Sequence, residues 1–479
     1  MILFFKGMPS RYEIENVTRL FFVRAEVREG LRDKREENYC FVRRSATRLL
    51  VGVRLGQRAS ARSIPLPAGQ DPEFPAAESL FLQLRALTGY APSWGMLTGV
   101  RPVAFLRSLE AREGSMEKAA DLLRQKYRVS EEKLALAMAT AKVQAPVLAK
   151  SAPRSYSLYV SVPFCPTRCS YCSFVSRTTK AEGHLIPAYV DTLCRELRDT
   201  AAMARRIGLE LETVYIGGGT PTAISAQELE RICQALWDYF PMGKVREFTV
   251  EAGRPDTITE KKLQVIRQAG AGRISINPQT LNDEVLAAVG RPHTAKDFLD
   301  AFHLARSMGF DNINTDLIAG LPGDTPEGFR RTMDGILAIA PENVTVHTLT
   351  LKRASDMVIQ GQEAQGADVS RMLEQNARLL AAGYRPYYLY RQKNTLQNLE
   401  NTGFTKPGKE GLYNIYIMEE THTILSCGAG GSTKLRAPGE KRIQRIFNYK
   451  YPAEYIAGYE KLLQKKQGIE EFYARHLDP

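Results

Sequence analysis

The pattern of apolar and polar positions changes character along the chain. Residues 1–63 alternate apolar and polar positions in short runs such as R-L-L-V-G-V-R-L (48–55) and R-L-F-F-V-R-A-E-V (19–27), which predicts a β-rich unit of about three or four strands. Residues 75–150 place apolar residues at helical spacing, which predicts a mostly helical segment. We therefore expect an N-terminal extension over residues 1–150, with a β-rich part followed by a helical part.

The hydrophobic pattern changes after this extension, where short apolar runs alternate with helical stretches. The strand-like runs are residues 156–162, 213–217, 247–251, 273–277, 312–318 and 343–349. Helix starts are marked by a capping box at Ser225 and Glu228 and by Thr325 followed by Pro326. Strands that alternate with helices predict a parallel sheet of right-handed βαβ units. Six units are too few for an eight-stranded barrel, so we expect an α/β fold with a partial (β/α)6 TIM-type barrel over residues 151–365.

The last part of the chain mixes helical and strand-like patterns. Residues 369–380 are amphipathic at helical spacing, and strand-like runs follow at 386–390, 412–418 and 422–427. We expect residues 366–479 to form a mixed α/β cap over the open side of the barrel.

Size and composition predict a globular protein without a membrane anchor. A chain of 479 residues with 44% hydrophobic and 25% charged residues has room for a large core and about two or three domains. No apolar run approaches the ~20 residues that span a bilayer, and the first residues lack the pattern of a secretory signal. The seven cysteines do not make a disulfide framework, so we expect a protein of the reducing cytoplasm.

Positive charge is concentrated near the start of the chain. The formal net charge is +12, and residues 1–63 carry 14 Lys or Arg against 7 Asp or Glu. Such a surplus attracts nucleic acid, an anionic membrane surface or a polycarboxylate substrate. A solvated basic face explains the same composition, and we do not expect nucleic acid as a partner.

Three closely spaced cysteines follow the first strand of the predicted barrel. Pro163 ends that strand, and Cys165, Cys169 and Cys172 follow with C-x3-C-x2-C spacing. Thiolate is the soft ligand of iron–sulfur clusters, and a [4Fe–4S] cluster normally takes four. Three without an evident fourth predict a cubane with one open iron, which can take a small ligand and pass an electron to it. A zinc site completed by a distant ligand, or three free thiols on a loop, fits the same spacing.

Glycines and polar residues fall near the ends of the other predicted strands. In a parallel barrel those carboxyl ends meet at one rim, where ligands bind. The residues at strand ends are the run from Gly217 to Pro221, Glu251, Gln279, Asp316 and Thr350, and Arg291 lies in the short turn V-G-R-P-H (289–293). Singly, each has an ordinary explanation as a tight turn or a solvated side chain. Their joint arrival at one rim predicts a ligand site, where glycine backbone lies against the ligand and Arg291 meets a carboxylate.

Several segments together resemble a known family. They are Y-V-S-V-P-F-C-P-T-R-C-S-Y-C-S-F (159–174), G-G-G-T-P-T (217–222), V-E-A-G-R-P (250–255), N-P-Q-T-L-N-D (277–283) and T-D-L-I-A-G-L-P (315–322). Over residues 155–350 this set is similar to the oxygen-independent coproporphyrinogen III oxidase-like radical S-adenosylmethionine (SAM) proteins. The long N-terminal region, with R-P-Y-Y-L-Y-R-Q-K-N beyond the core, resembles the HemZ-type branch of that family.

The resemblance implies a [4Fe–4S] cluster on Cys165, Cys169 and Cys172, with SAM bound at the open iron. It also implies one or two SAM molecules, contacted by Tyr159, Tyr171, Gly218, Gly219, Thr220, Glu251, Gln279, Arg291, Asp316 and Thr350. The implied reaction is oxidative decarboxylation of propionate side chains to vinyl groups, from coproporphyrinogen III to protoporphyrinogen IX in heme biosynthesis. Reduction of the cluster implies an electron donor such as flavodoxin or ferredoxin.

Two departures from the family pattern keep other functions open. Established oxidases of this type have a further cysteine two residues after the third ligand, where this chain has Phe174. Relatives without it include heme chaperones, which bind heme rather than decarboxylate porphyrinogens. Those chaperones show an H-N-x-x-Y-W segment, whereas the matching Tyr413-Asn414-Ile415-Tyr416 lacks the histidine. A heme-binding or heme-delivery protein is therefore the alternative, and an RNA-modifying radical SAM enzyme is a third.

A tyrosine-rich run beyond the core offers a surface for a flat ring. Tyr387, Tyr388 and Tyr390 can stack on a tetrapyrrole, with Arg391 and Lys393 meeting its carboxylates. Packing inside the protein explains the same tyrosines. A second glycine-rich loop, G-A-G-G-S, follows later and either closes on the cofactor or forms a tight turn.

Overall fold

The computed structural model of the chain describes residues 1–30, 36–172, 174, 176–350, 368–392, 395–438, 440 and 442–477. The chain divides into two compact units. One comprises Met1–Met138 with Arg391–Leu399, and the other comprises Ala139–Tyr390 with Glu400–Pro479. The second unit contains the predicted barrel and the predicted C-terminal region except Arg391–Leu399. The three-part division expected from the sequence, at residues 1–150, 151–365 and 366–479, stays a prediction.

The first unit contains a mixed β-sheet and helices that pack on one of its faces. Its strands within the described residues are β1 (Ile2–Lys6), β2 (Glu26–Glu29), β3 (Asn38–Arg44), β4 (Arg48–Leu55) and β5 (Arg58–Pro65). Their order is β2-β1-β3-β4-β5, with β1 parallel to both neighbours and the β3–β4 and β4–β5 pairs antiparallel. Alternation along β4 places Leu49, Val51 and Val53 in the core beneath the helices.

Helices follow the strands in this part of the chain, as expected, with one exception. They are α1 (Tyr12–Phe21), α2 (Glu73–Thr88), α3 (Pro102–Glu113), α4 (Met116–Gln125) and α5 (Glu131–Leu148). The strand predicted at residues 19–27 is wrong, because α1 runs to Phe21 and β2 begins only at Glu26. Ile14, Val17 and Leu20 recur at helical spacing and pack into the core, which stabilises a helix there.

The second unit contains the predicted parallel sheet. The strands up to residue 350 are β6 (Ser155–Val162), β7 (Phe164–Cys165), β8 (Arg177–Thr178), β9 (Glu210–Gly218), β10 (Glu247–Glu251), β11 (Arg273–Ser275), β12 (Ile313–Ala319) and β13 (Asn343–Thr348). Strands β6 and β9 to β13 pair side by side in parallel, which confirms the predicted α/β fold. Strands β7 and β8 form a separate small sheet.

Helices connect these strands, and two of them begin at the signals read from the sequence. They are α6 (Thr179–Glu182), α7 (Ile186–Arg206), α8 (Ala226–Tyr239), α9 (Glu260–Gln268), α10 (Asp283–Ala288), α11 (Ala295–Ser307) and α12 (Pro326–Ile339). Helix α8 has both hydrogen bonds of the predicted Ser225–Glu228 capping box. Thr325 caps α12, because its hydroxyl accepts a hydrogen bond from the Gly328 amide (3.0 Å).

The C-terminal region continues the barrel sheet at both edges. Its strands are β14 (Arg385–Arg391), β15 (Glu400–Thr405), β16 (Thr423–Cys427), β17 (Ser432–Leu435) and β18 (Gln444–Phe447). Strand β15 pairs antiparallel with β13, whereas β16 pairs in parallel with β6. The sheet of the described residues has 11 strands, in the order β14-β15-β13-β12-β11-β10-β9-β6-β16-β17-β18. The region is mixed α/β, as expected, and its strands extend the sheet at both edges. Its place as a cap over the open side stays a prediction.

The helices of this region correct two predictions. Within the described residues they are α13 (Val369–Leu373), α14 (Asn376–Ala381), α15 (Leu412–Glu419), α16 (Pro452–Ala457) and α17 (Tyr459–His476). The helix predicted at residues 369–380 is two short helices, and the strand predicted at 412–418 is the helix α15. The Glu247 carboxylate accepts hydrogen bonds from the backbone amides of Leu412 (2.6 Å) and Tyr413 (3.0 Å) and stabilises the start of α15.

Candidate functional site

A short loop after β6 carries the three cysteines of the predicted cluster site. The parallel pair of β7 with β8 holds the two ends of this loop together. All three cysteines are free thiols; Cys169 is buried, and Cys165 and Cys172 are half-buried. The Cys172 amide donates a hydrogen bond to the Cys169 carbonyl (3.0 Å). All three cysteines lie on this one loop, and their role as cluster ligands stays a prediction.

Burial keeps the thiols of Cys165 and Cys172 protonated when no metal is bound. Burial raises the pKa of the Cys165 thiol and raises the pKa of the Cys172 thiol to about 11. Near neutral pH these thiols keep their protons unless a cation replaces them, as iron does when a thiolate binds it. Among the described residues, no group of three His, Cys, Asp or Glu side chains is arranged around a single metal ion. In a cubane each thiolate binds a different iron, and a cluster on the cysteine loop stays a prediction.

The glycine run after β9 packs directly on the cysteine loop. Gly218 has φ of +117°, and a Cβ on Gly219 would lie 2.6 Å from the Phe164 carbonyl oxygen and 3.0 Å from Cys165 Sγ. The Thr220 amide donates to the same Phe164 carbonyl (2.7 Å), and the Thr220 hydroxyl lies 3.6 Å from Cys165 Sγ. This close approach of backbone to backbone requires glycine. It places Gly218, Gly219 and Thr220 beside the cluster loop, while their contact with SAM stays a prediction.

Two predicted carboxylates face the same part of the barrel interior. The Tyr215 hydroxyl donates a hydrogen bond to Glu251 Oε1 (2.6 Å). Burial, together with the charge of Asp316, raises the pKa of Glu251 to about 7. Burial also acts to raise the pKa of Asp316, but His347, whose Nε2 lies 3.8 Å from Asp316 Oδ2, and a hydrogen bond from Asn314 (2.8 Å) lower it overall. Near neutral pH this pair therefore combines a carboxyl that gains and loses its proton readily with one that stays ionised.

Arg291 is buried among neutral partners. Its side chain is 4% exposed. One terminal nitrogen donates to the Tyr171 hydroxyl (3.0 Å), and the other donates to the carbonyls of Asn277 (3.0 Å) and Gly253 (3.2 Å). Within the described part of the chain, Nε of Arg291 has no hydrogen-bond partner. A buried guanidinium in this state is a good site for a ligand carboxylate.

Gln279 and Thr350 both follow strands of the barrel. Gln279 has the features of a ligand-binding residue, whereas the Thr350 hydroxyl forms a local hydrogen bond. Gln279 has φ of +70°, and its side-chain oxygen is buried without a hydrogen-bond partner among the described atoms. Its amide donates to the Asp316 carbonyl (3.0 Å), so two predicted residues are in contact. A strained backbone that holds a buried amide group is typical of a ligand site. Thr350 is half-buried after β13, and its hydroxyl donates to the Thr348 carbonyl (3.3 Å).

Tyr159 belongs to a stack of three tyrosines inside the barrel. Tyr215 and Tyr413 stack with ring centroids 4.4 Å apart, and Tyr159 lies 6.2 Å from Tyr215 and 6.1 Å from Tyr413. Tyr413 comes from α15, so its place here was not visible in the sequence. The stack forms an aromatic wall next to the Glu251 carboxyl, which accepts from Tyr215.

Arg254 and His293 also lie near the cysteine loop, and the sequence analysis assigned them no role. Arg254 donates through Nη1 to the Thr167 hydroxyl (3.0 Å) and toward Cys169 Sγ (3.9 Å). His293 is 3% exposed, and both of its ring nitrogens lack hydrogen-bond partners among the described atoms. A role for Arg254 could have been inferred from the sequence, because it lies in the V-E-A-G-R-P segment directly after β10.

The tyrosine-rich run is packed inside the protein. Tyr387 is fully buried and Tyr388 is 5% exposed. The Tyr387 hydroxyl accepts from Asn414 (3.1 Å), and the Tyr388 hydroxyl donates to Thr345 (3.0 Å). Arg391 is buried in the first compact unit, where it donates to the carbonyls of Leu97 and Asn398, and Lys393 lies outside the described residues. Tyr387 and Tyr388 therefore follow the packing interpretation, and Tyr390 is half-buried.

The second glycine-rich loop, residues 428–432, packs against the back of β6. A Cβ on Gly428 would lie 2.4 Å from the Ser161 carbonyl oxygen. The Gly428 amide donates to the Glu196 carboxylate (2.7 Å), which also forms a buried ion pair with Lys466 (2.6 Å). The loop is thus a close-packed turn held by a buried charge pair.

Comparison with known proteins gives concordant matches. The sequence model of the Radical SAM superfamily matches residues 159–336. The oxygen-independent coproporphyrinogen-III oxidase-like protein HemZ of Bacillus subtilis is 39% identical over 394 residues, which cover 80% of this chain and 78% of that protein. The heme chaperone HemW of Lactococcus lactis is 31% identical over 317 residues, which cover 66% of this chain and 79% of that protein.

A solved structure agrees with the fold. The chain is similar to coproporphyrinogen III oxidase (HemN) of Escherichia coli, with a TM-score of 0.52 and 23% identity, over 67% of this chain and 72% of that one. At this identity the likeness supports the fold alone. Among the helices of the described residues, none is both long enough and apolar enough to cross a bilayer.

Proposed function

Since the chain belongs to the radical SAM family of oxygen-independent coproporphyrinogen III oxidase-like proteins, we propose that it is a SAM-dependent oxidoreductase acting on a porphyrinogen. Its reaction is the oxidative decarboxylation of propionate side chains to vinyl groups. A [4Fe–4S] cluster and SAM, when bound, supply a radical that removes one hydrogen atom from the propionate. Loss of carbon dioxide and of one further electron leaves the vinyl group, so the reaction needs an electron acceptor.

Arg291 is the observation that carries this proposal. It is buried beside the cysteine loop, and its partners are a tyrosine hydroxyl and backbone carbonyls. A buried charge without an opposite charge is unfavourable, so the site is prepared for a ligand carboxylate. The SAM carboxylate meets this need, because a ligand chelated at the open iron has to lie next to the cysteines. Tyr171, one residue before Cys172, joins the guanidinium to the cysteine loop.

Other predicted residues have separate roles in this proposal. Asp316 stays ionised and attracts the positive charge of SAM. Glu251, with its pKa raised to about 7, binds a ribose hydroxyl either as donor or as acceptor. The glycine run lets the backbone approach the cysteine loop without side chains in between. The stack of Tyr159, Tyr215 and Tyr413 excludes water from this side of the barrel.

Anaerobic reconstitution tests the reaction directly. The protein is loaded with iron and sulfide, reduced, and incubated with SAM and coproporphyrinogen III. We expect vinyl products, carbon dioxide and one cleaved SAM for each propionate converted. Cleavage of SAM without any decarboxylation over many turnovers would remove the oxidase proposal.

Cysteine substitutions test the cluster itself. Replacing Cys165, Cys169 or Cys172 singly with Ala should remove most of the bound iron and all cleavage of SAM. The matched control is the joint replacement of the other four free cysteines, which should leave the brown chromophore intact: Cys40, Cys194, Cys233 and Cys427. A protein without Cys169 that still binds four irons and cleaves SAM would contradict the assignment.

Heme binding or delivery without decarboxylation is the second candidate function. The observation in its favour is Phe174, which is 69% exposed beside the cysteine loop, where established oxidases of the family have a further cysteine. An exposed aromatic ring offers a contact for a flat apolar ligand. Stoichiometric, tight binding of heme by the reconstituted protein, together with no turnover of coproporphyrinogen, would favour this function. Loss of that binding in Phe174→Ala would tie it to the exposed ring.

A further inference from the structure

We propose that Arg254 and Asp256 form a charge pair that tunes the reduction potential of the cluster held by the cysteine loop. In this pair the guanidinium faces the cysteines and the carboxylate lies behind it. The inference rests on the proposed cluster site and concerns the ease of reducing it, which nothing in the family resemblance assigns to these two residues. Both are positioning residues: Arg254 acts through its charge and its contact with Cys169, and Asp256 acts through its charge and its hold on the guanidinium.

The geometry fixes the guanidinium in one orientation. Nε and Nη2 of Arg254 donate to the two carboxylate oxygens of Asp256, at 2.9 Å and 2.8 Å. Nη1 points the other way and donates to the Thr167 hydroxyl (3.0 Å) and toward Cys169 Sγ (3.9 Å). The Thr257 hydroxyl donates to the Arg254 carbonyl (2.8 Å) and so holds the backbone of this turn.

Burial makes the charge of this pair effective at the cysteine loop. The Arg254 side chain is 5% exposed, whereas that of Asp256 is 24% exposed. Charges interact more strongly where water is excluded, and solvent weakens the field of the more exposed partner. The nearer and drier charge is therefore the positive one. The net electric field at Cys169 is therefore positive, and the more distant Asp256 carboxylate cancels part of it.

A positive field at a thiolate ligand favours the reduced cluster. Reduction adds one negative charge to the cluster, and a nearby cation stabilises that charge. Hydrogen bonds to cluster sulfurs and the local net charge are among the factors that set iron–sulfur reduction potentials. Arg254 thus raises the potential and helps a one-electron protein donor to reduce the site. Asp256 limits the increase, so the two side chains act in opposite directions.

Opposite shifts from the two halves of the pair are the test. Arg254→Gln leaves the Asp256 carboxylate uncompensated, and Asp256→Asn leaves the guanidinium uncompensated. Each cluster-loaded full-length protein is titrated anaerobically with dithionite at controlled potential, without SAM, and the reduced cluster is measured by electron paramagnetic resonance. We expect the ratio of reduced to oxidised cluster at a fixed potential to fall about tenfold in Arg254→Gln, which is about 59 mV for one electron. In Asp256→Asn the ratio should rise.

Further variants separate a charge effect from damage to the loop. Arg254→Lys keeps the charge and should stay near the wild-type potential, as should the double variant Arg254→Gln/Asp256→Asn. The matched control is the Arg246–Glu212 ion pair (2.7 Å) at the opposite end of the β9–β10 pair, where Arg246→Gln should leave the potential unchanged. Iron and sulfide content are measured for every variant, and Arg254→Lys and Asp256→Asn carry the test if Arg254→Gln cannot hold a cluster.

The results distinguish this inference from the proposed function. Variants with a full cluster and the wild-type potential, or shifts of the same sign in Arg254→Gln and Asp256→Asn, overturn the role of the pair. Such a result does not bear on SAM cleavage or decarboxylation, so the proposed function stands. Failure of the wild-type protein to bind any cluster overturns the proposed function first, and the inference falls with it.

Discussion

Glu251→Gln should make the ligand-free protein more stable at alkaline pH. In the folded protein, burial and the neighbouring Asp316 raise the pKa of Glu251 from 4.5 to about 7. The folded state therefore binds this proton more tightly than the unfolded chain does. The free energy of unfolding falls as pH rises from about 4.5 through about 7, and the loss is complete above that range.

The size of the effect follows from the shift. A pKa unit corresponds to 1.36 kcal/mol, so the ionised carboxylate costs about 3 kcal/mol of stability well above pH 7. Gln has no charge to desolvate and still accepts a hydrogen bond from the Tyr215 hydroxyl. We expect Glu251→Gln to exceed the wild type in unfolding free energy by about 3 kcal/mol at pH ~8.5 and by about 1 kcal/mol at pH ~5.

Urea unfolding followed by circular dichroism at these two pH values measures the difference. The matched control is Glu210→Gln, which makes the same chemical change at an exposed position where β9 begins. Its unfolding free energy should fall between the two pH values by the same amount as that of the wild type. The reasoning is refuted if the difference in unfolding free energy between Glu251→Gln and the wild type stays constant or shrinks from pH ~5 to ~8.5. The same substitution should weaken SAM binding. The Glu251 carboxylate lowers the stability of the ligand-free protein, and we expect it to be retained because it binds the ligand.

Three other predictions follow from individual contacts. Lys466→Met leaves the buried Glu196 carboxylate without its cation and should lower the unfolding free energy by about 3–5 kcal/mol in urea titrations, whereas adding Glu196→Gln should restore much of it. Gly219→Ala places a Cβ 2.6 Å from the Phe164 carbonyl oxygen and should displace the loop, seen as loss of bound iron after reconstitution; full iron content would contradict the packing argument. Arg291→Gln should weaken SAM binding by about 1–3 kcal/mol in calorimetry, and unchanged affinity would move the SAM carboxylate elsewhere.

Features that depend on neighbours within a few residues could be predicted from the sequence. The six parallel strands were found from short apolar runs, and the start of α8 was found from the Ser225–Glu228 capping box. The Thr325 cap of α12 was found in the same way. Helix caps, strand periodicity and the C-x3-C-x2-C spacing are written within a few positions of the chain, so their physics is local.

Many candidate site residues could also be named from the sequence, because they lie at the ends of predicted strands. Parallel strands bring their carboxyl ends to one rim, so polar residues at strand ends predict a site before any contact is known. Tyr171 with Arg291, Cys165 with Thr220, and Gln279 with Asp316 do meet in the structure. What each of these contacts does with SAM stays a prediction.

Only the tertiary structure decided how distant segments meet. Helix α15 was predicted as a strand, because Tyr413, Ile415 and Tyr416 are buried on different sides of it and leave no polar face to show a helical period. The pairing of β16 with β6 joins Thr423 to Tyr156, and no pattern in either segment specifies its partner. Arg254 reaches Cys169 across 85 positions of sequence. Such contacts depend on the whole fold closing around them, whereas local patterns report only which side of an element is apolar.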